Sequence, residues 1–332
     1  MAKSRHRRKA PRRTGSVTGN ARLRTGLADA SALVTGGRMR EASQRLAELH
    51  RQYPDSFEAL NNLAYVSDKL EEQLEYLRCC RKLREMRPED PHFAHTLIYA
   101  HGKNSQQALA MREVGRFLEQ WPDHPEAARM RELHDDLVRT LNLIREDVGL
   151  SAGDEAALEM HEELQLFLST GDYVEGEALG RQLIARYPQF IAPYNNLSLV
   201  LYFAGRSGEA ADMARRVLEM QPDNFQALGN LARILCLSGQ EAEARTFAAR
   251  LKSLRSDNTD IWLKKAETFS FLADDAAVME IYEEGQEVKA VAGNAIFHHL
   301  GAAAAARLGR ETEARAAWAR ALELMPGLDL AR

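Results

Sequence analysis

The sequence predicts an all-α fold built from repeated helix–turn–helix units, and three observations carry the prediction. The stretch from Ile191 to Ser256 states one pattern twice at an offset of 34 residues: Tyr194 meets Leu228, Leu197 meets Leu231, Ser198 meets Ala232 and Leu201 meets Leu235. Gly205 then meets Gly239, Ala210 meets Ala244, Ala214 meets Ala248 and Val217 meets Leu251. Within each copy the apolar residues recur at three- and four-residue spacing on both sides of the Gly, the period of two amphipathic helices joined by a turn. Earlier in the chain Pro54, Pro88 and Pro122 also stand 34 apart, each closing a helical pattern.

A period of this length, with bulky, small and bulky residues at these offsets and a Pro near the end, resembles the tetratricopeptide repeat. The resemblance implies a right-handed superhelical α-solenoid of tetratricopeptide-like repeats. It also implies a non-enzymatic scaffold or adaptor that holds a peptide or protein surface in a groove lined by the first helix of each repeat.

Taken in order, residues 1–20 are basic, hold Ser, Thr, Gly and Pro, and are almost free of large apolar side chains. Such a segment buries too little surface to offset its ordering entropy and reads as a disordered arm. Residues 21–124 hold about three repeats. The first keeps Leu33, Gly37, Ala42, Leu46 and Leu49. The second keeps Leu60, Leu63, Ala64 and Leu83 but has a charged run, Asp68 to Glu72, where the turn Gly belongs, and the third turns through Gly102-Lys103-Asn104-Ser105. Residues 125–156 break the phase, since the packing offsets fall on Arg131, Glu132 and Asp135. Instead Met130, Leu133, Leu137, Leu141, Ile144 and Val148 form one stripe of a long helix from about Pro125 to Asp147. Ser151 or Asp154 is the expected cap of the next helix.

Residues 157–328 return to phase for about five repeats. Trp262, Ala266, Phe269 and Tyr282 mark a copy without a closing Pro. The last copy carries Phe297, Gly309, Trp318 and Pro326, and its offset from that Pro suggests a one-residue insertion at its turn. The sequence runs six residues past Pro326 with no sealing helix, so an apolar edge of Trp318, Leu322 and Met325 is expected to invite self-association or a partner.

Composition bounds the functional classes. The chain has 332 residues, 45% hydrophobic and 28% charged, with no apolar run long enough to span a bilayer and no secretory leader pattern. Three cysteines, two of them the adjacent Cys79 and Cys80, form neither a disulfide framework nor a zinc motif, and a reducing, cytoplasmic setting is expected. Residues 1–24 hold nine Lys and Arg and no acid within a chain of net charge −4, so arm and body differ in electrostatic character. The arm supports an alternative reading, a nucleic-acid- or ribosome-associated factor, and a regulatory subunit of an enzyme complex is a third. A basic cluster at Arg78, Arg81, Lys82, Arg84 and Arg87 falls on a second helix and reads as a solvated face.

No phosphate loop, nucleophile elbow or HExxH is present, so no catalytic residue, cofactor or metal is assigned; His92 and His95 share a helix without a carboxylate or thiolate to complete a site. The resemblance to the repeat family places Asn62, Asn196 and Asn230 at one groove register, where an amide can donate to and accept from a peptide backbone at once. Neighbouring groove positions supply Tyr65 and Tyr99 beside Asn62, and Asn195, Tyr202, Arg233 and Lys264 beside the other two. The family's two-cation clamp for acidic tails is not met, because Lys264 stands with Asp260 rather than with a second cation.

Overall fold

The computed structural model describes residues 17–326 and 328, with side chains from residue 21 onward. Most of the basic arm expected at 1–20 therefore lies outside the described residues. Eighteen α-helices and no strand occur among the described residues. They fall into two compact units, Met1–Leu143 and Ile144–Arg332.

In the first unit α1 (Val17–Thr35), α3 (Phe57–Lys69) and α5 (Pro91–Lys103) are first helices of their pairs. Their partners are α2 (Met39–Gln52), α4 (Gln73–Met86) and α6 (Gln107–Gln120). The long α7 (Ala127–Asp147) crosses the boundary between units. Its Met130 joins Ala94, Ile98, Val114 and Phe117 in one buried cluster, with Leu133 and Leu137 packed against it. The start of α7 is thus the last layer of the first unit's core, and the charged residues at the old packing offsets face outward.

In the second unit the first helices are α8 (Glu155–Thr170), α10 (Ala192–Phe203), α12 (Phe225–Leu237), α14 (Thr259–Phe271) and α17 (Ala295–Arg307). They pair with α9 (Tyr173–Arg186), α11 (Ser207–Met220), α13 (Glu241–Ser253), α15 (Asp275–Gly285) and α18 (Glu311–Leu324). A short α16 (Lys289–Ala292) lies between α15 and α17.

One register is small in six of the eight pairs and holds Tyr76 in α4 and Val278 in α15. Ala42, Ala110, Gly176, Ala210, Ala244 and Ala314 are all buried where the second helix crosses the first, because small side chains let two backbones approach. Leu or Phe above and below, such as Leu46, Leu83, Phe117 and Leu251, supply the apolar burial, about 1.5–3 kcal/mol each. The first helices are started by side-chain caps at one register: Ser56, Asp90, Asn224, Asn258 and Asn294 each accept a hydrogen bond from a backbone N–H of the first turn. Asp154 sits at the N-cap of α8 but makes no such bond, and accepts instead from the backbone N–H of Ser151 at 3.0 Å.

The turns explain how the repeats that lack Gly keep phase. Gly37, Gly171, Gly205, Gly239 and Gly309 have φ between 74° and 84°, and Glu71, Ser105 and Ala273 hold the same register at φ 59°, 55° and 54°. All but Gly171, whose N–H bonds the Phe167 C=O, close their helices by the same pair of bonds; at Ala273 these are Ala273 N–H to Ser270 C=O (3.2 Å) and Asp274 N–H to Phe269 C=O (3.0 Å). The charged run at Asp68–Glu72 is therefore a turn of unchanged geometry.

The missing Pro is replaced in kind. Tyr194 donates its hydroxyl to the carbonyl of Pro188 at 3.0 Å, and Trp262, six residues after Ser256, donates its indole N–H to the Ser256 carbonyl at 2.7 Å. Lys265, fully buried, donates to the Leu254 carbonyl at 2.6 Å and lies 4.2 Å from the Trp262 ring. The inferred one-residue insertion at the last turn is not what the structure has. The interval from helix start to turn, Ala295 to Gly309, matches Phe225 to Gly239, and two additional residues sit in the α15–α17 connection, where α16 forms.

The C-terminal edge is less open than expected. Met325 is 45% exposed, but Trp318 is half-buried, and so is Leu322, which packs against the cluster that Leu328 forms with Ala295 and Ala321.

Candidate functional site

The first-helix face of the second unit brings together residues that the sequence placed at groove positions, although not in the way expected. Asn196, half-buried, donates from Nδ2 to Nε2 of His161 on α8 at 3.0 Å. Burial holds the His161 pKa down to about 4, so the ring is neutral and its Nε2 can accept. Asn230 is only 1% exposed, covered by Lys264, whose ammonium donates to its Oδ1 at 3.1 Å. Gly229 allows this: a Cβ there would stand 2.8 Å from Lys264 Cδ and 2.9 Å from Cγ, so only Gly lets the lysine stem lie against α12. Asn195 is also buried, and donates to Oδ1 of Asn224, the cap of α12, at 3.3 Å. It braces the next repeat instead of facing an open groove. The three Asn at one register are thus one open amide, the exposed Asn62, and two that already serve a neighbouring helix.

The aromatic and cationic residues form a continuous row across the same face. Tyr173 on α9 stacks on Phe203 at 5.7 Å and 11°, and Phe203 meets Tyr202 edge-on at 5.1 Å. The Arg233 guanidinium lies 5.7 Å from the Tyr202 ring and 5.8 Å from Phe271 on α14, held between two π faces. No ion pair or hydrogen bond joins Arg233 to another described residue, and its Nε is buried without an acceptor. Desolvation lowers the Lys264 pKa, the carboxylate of Glu267 opposes that shift, and Arg233 adds to it, which places the two cations within electrostatic reach of each other. Phe203 (49% exposed), Leu237 (54%) and Phe271 (39%) stand 34 apart at the ends of α10, α12 and α14, an exposed apolar edge beside the cations. Leu237, Phe271 and Tyr173 were missed in the sequence. For Leu237 and Phe271 the signal was the 34-residue spacing of large apolar residues just before each turn, a position whose exposure periodicity alone does not give; Tyr173, at the start of α9, lies outside that register.

In the first unit Tyr65 and Tyr99 are each 51% exposed on α3 and α5. Each carries a lysine one turn on: Lys69 lies 5.7 Å from the Tyr65 ring and Lys103 5.2 Å from Tyr99. Lys103 is taken up by Asp68 at 2.8 Å, so this row holds less uncompensated charge than the one around Arg233.

Residues 202–267, spanning the second half of one helix pair, the next pair and the start of a third, match the sequence profile of the tetratricopeptide repeat family. Residues 202–267 carry tetratricopeptide repeats. No curated protein matches the chain. Among solved structures, the chain is similar to YrrB, described as a tetratricopeptide-repeat protein with an unusual peptide-binding site. That likeness has 16% identity over 53% of this chain and 89% of that one, with a TM-score of 0.36. It is also similar to MamA, at 16% identity over 48% of this chain and 92% of that one, TM-score 0.37. No helix among the described residues is long and apolar enough to cross a membrane.

Proposed function

We propose that this tetratricopeptide-repeat protein is a non-enzymatic scaffold whose second unit holds an extended peptide of a partner protein across α10, α12 and α14. The reading is supported by one observation above others: Arg233, without a carboxylate partner, is fixed between Tyr202 and Phe271 beside Lys264. A guanidinium already immobilised by two rings loses little entropy when it binds, and its remaining donors suit a carboxylate. The apolar edge of Phe203, Leu237 and Phe271 would take a neighbouring large side chain. The peptide chemistry proposed is therefore an acidic residue or terminal carboxylate next to a bulky apolar one. Lys264 is the cation that met the family's clamp register alone, and Arg233 supplies the second charge from a different position. Asn62, Tyr65 and Tyr99 are proposed as a weaker contact row of the first unit.

A random-peptide display selection on the full chain tests this, followed by affinity measurement on Arg233→Ala and Phe271→Ala. Selected peptides should share a carboxylate beside an apolar residue. A charge-assisted contact worth about 1.5–3 kcal/mol makes Arg233→Ala roughly ten- to hundredfold weaker. Peptides with no acidic preference, or equal affinity for Arg233→Ala, would rule the reading out.

A further inference from the structure

The three asparagines of one register, Asn62, Asn196 and Asn230, differ in what stands 34 residues further on. After Asn62 that position is Thr96, whose hydroxyl turns back to the His92 carbonyl at 2.7 Å, and Asn62 is exposed. After Asn196 it is Asn230, whose own amide is taken up by Lys264, and Asn196 is half-buried. After Asn230 it is Lys264, and Asn230 is 1% exposed, with the ammonium 3.1 Å from its Oδ1. Of the three, only Asn230 is followed by a side chain long enough to reach back over it.

The ammonium is poorly matched where it lies. Its acceptor is a neutral amide. Burial lowers the Lys264 pKa; Glu267 opposes that shift through space, without a bond to the ammonium, and Arg233 adds to it. A hydrogen bond to an ionised acceptor is about twice as strong as one to a neutral acceptor. A carboxylate that reaches Arg233 therefore competes for Lys264 on favourable terms. An ammonium holds donors only, so its departure frees the acceptor end of the Asn230 amide. The movement required is short. Cγ and Cδ of Lys264 rest against Gly229, where a Cβ would stand 2.9 and 2.8 Å from them, which leaves Cε and Nζ to swing.

We propose that Lys264 is a ligand-displaced cover on Asn230. A carboxylate bound beside Arg233 draws the ammonium away, and the uncovered amide then donates to and accepts from the backbone of the same peptide. The acid and the backbone are thus recognised in sequence, and a neutral peptide meets a closed amide. The device rests on the peptide reading of this face, with Arg233 as its anchor.

Isothermal titration of the full chain with a display-selected acidic peptide, and with the same peptide after its carboxylate is converted to the amide, tests the cover. Lys264→Met keeps an apolar stem over Gly229 and removes the ammonium, so Asn230 is open without any acid. This variant should bind the neutral peptide about three- to tenfold more tightly than the unmodified chain does. The gain should vanish in Lys264→Met/Asn230→Ala. Lys264→Arg, which also reaches Asn230 with donors only, should keep the discrimination of the unmodified chain. A lysine that only adds charge to the site would leave neutral-peptide binding unmoved by Lys264→Met. Neutral-peptide binding that is unchanged or undetectable in Lys264→Met, or a gain that survives the double variant, overturns the cover. If Arg233→Ala still weakens the acidic peptide in that case, the peptide reading stands without it; selected peptides with no acidic preference remove both.

Discussion

Replacing Ala273 by Gly should stabilise the second unit, and the size of the effect follows from the turn register. Ala273 sits at φ 54° and makes the same two turn bonds as Gly205 and Gly239, so its geometry is imposed by the repeat and not by its own preference. An L-residue in the left-handed region costs roughly 1–2 kcal/mol. Gly removes that cost but loses more chain entropy on folding, by about 0.5–1 kcal/mol. The difference, about 0.5–1 kcal/mol, should appear as extra stability. Packing does not enter, because a Cβ built on Gly205 or Gly239 meets nothing within 4 Å. Gly205→Ala and Gly239→Ala should therefore lose about the same amount that Ala273→Gly gains. For a unit of this size the change corresponds to roughly 1–4 °C in thermal midpoint, read by far-ultraviolet circular dichroism. Stacked repeats couple mainly to their neighbours, so amide hydrogen exchange in α14 and α15 should slow most. If Ala273→Gly lowers the midpoint while Gly239→Ala leaves it unmoved, the shared-register reasoning is wrong.

Further consequences concern packing, pH and thiol reactivity. Gly301→Ala should cost about 1–3 kcal/mol, because its Cβ would stand 2.4 Å from the Tyr282 ring, which Phe297 and a 2.8 Å bond to His298 hold in place. Gly208→Ala, in α11 with open space around it, should raise stability, and urea titration of both variants reads the two changes. His161 stays neutral in the folded protein down to about pH 4 and takes a proton near 6.5 when unfolded, so its contribution is lost as pH falls from about 6.5 to about 4. The unfolding free energy from urea titration should fall between pH 7 and pH 5 by about 1–2 kcal/mol more than in His161→Gln, and parallel pH profiles would refute this. Cys79 and Cys80 are buried and their thiol pKa values are pushed up by that burial, to about 12 at Cys80, whereas Cys236 is partly exposed. A thiol reagent should label Cys236 first in the native protein and all three only in denaturant, and rapid native labelling of two or more would contradict the packing of α4.

Much of the architecture was present in the order of residues. The 34-residue recurrence of Leu, small and Gly positions fixed the helix pairs, because each pair must bury one apolar stripe against its own partner and its neighbour. That requirement is local and periodic, so it is written in the sequence at every turn. It also explains why Glu71, Ser105 and Ala273 hold Gly positions without a break in phase: the surrounding packing imposes the conformation and the backbone bears the cost. The chemistry of the surfaces was not legible in the same way. Whether Asn230 faces a ligand or is covered by Lys264 depends on the missing Cβ of Gly229, a contact between residues 35 apart. Arg233 became a held, unpaired cation only when Tyr202 and Phe271 from two other helices closed on it. Periodicity determines which side of a helix is buried, since that needs one helix and one core. Pairing of polar groups between helices depends on which side chains meet across neighbouring repeats, as Lys264 does with Asn230, and only the tertiary structure decides it.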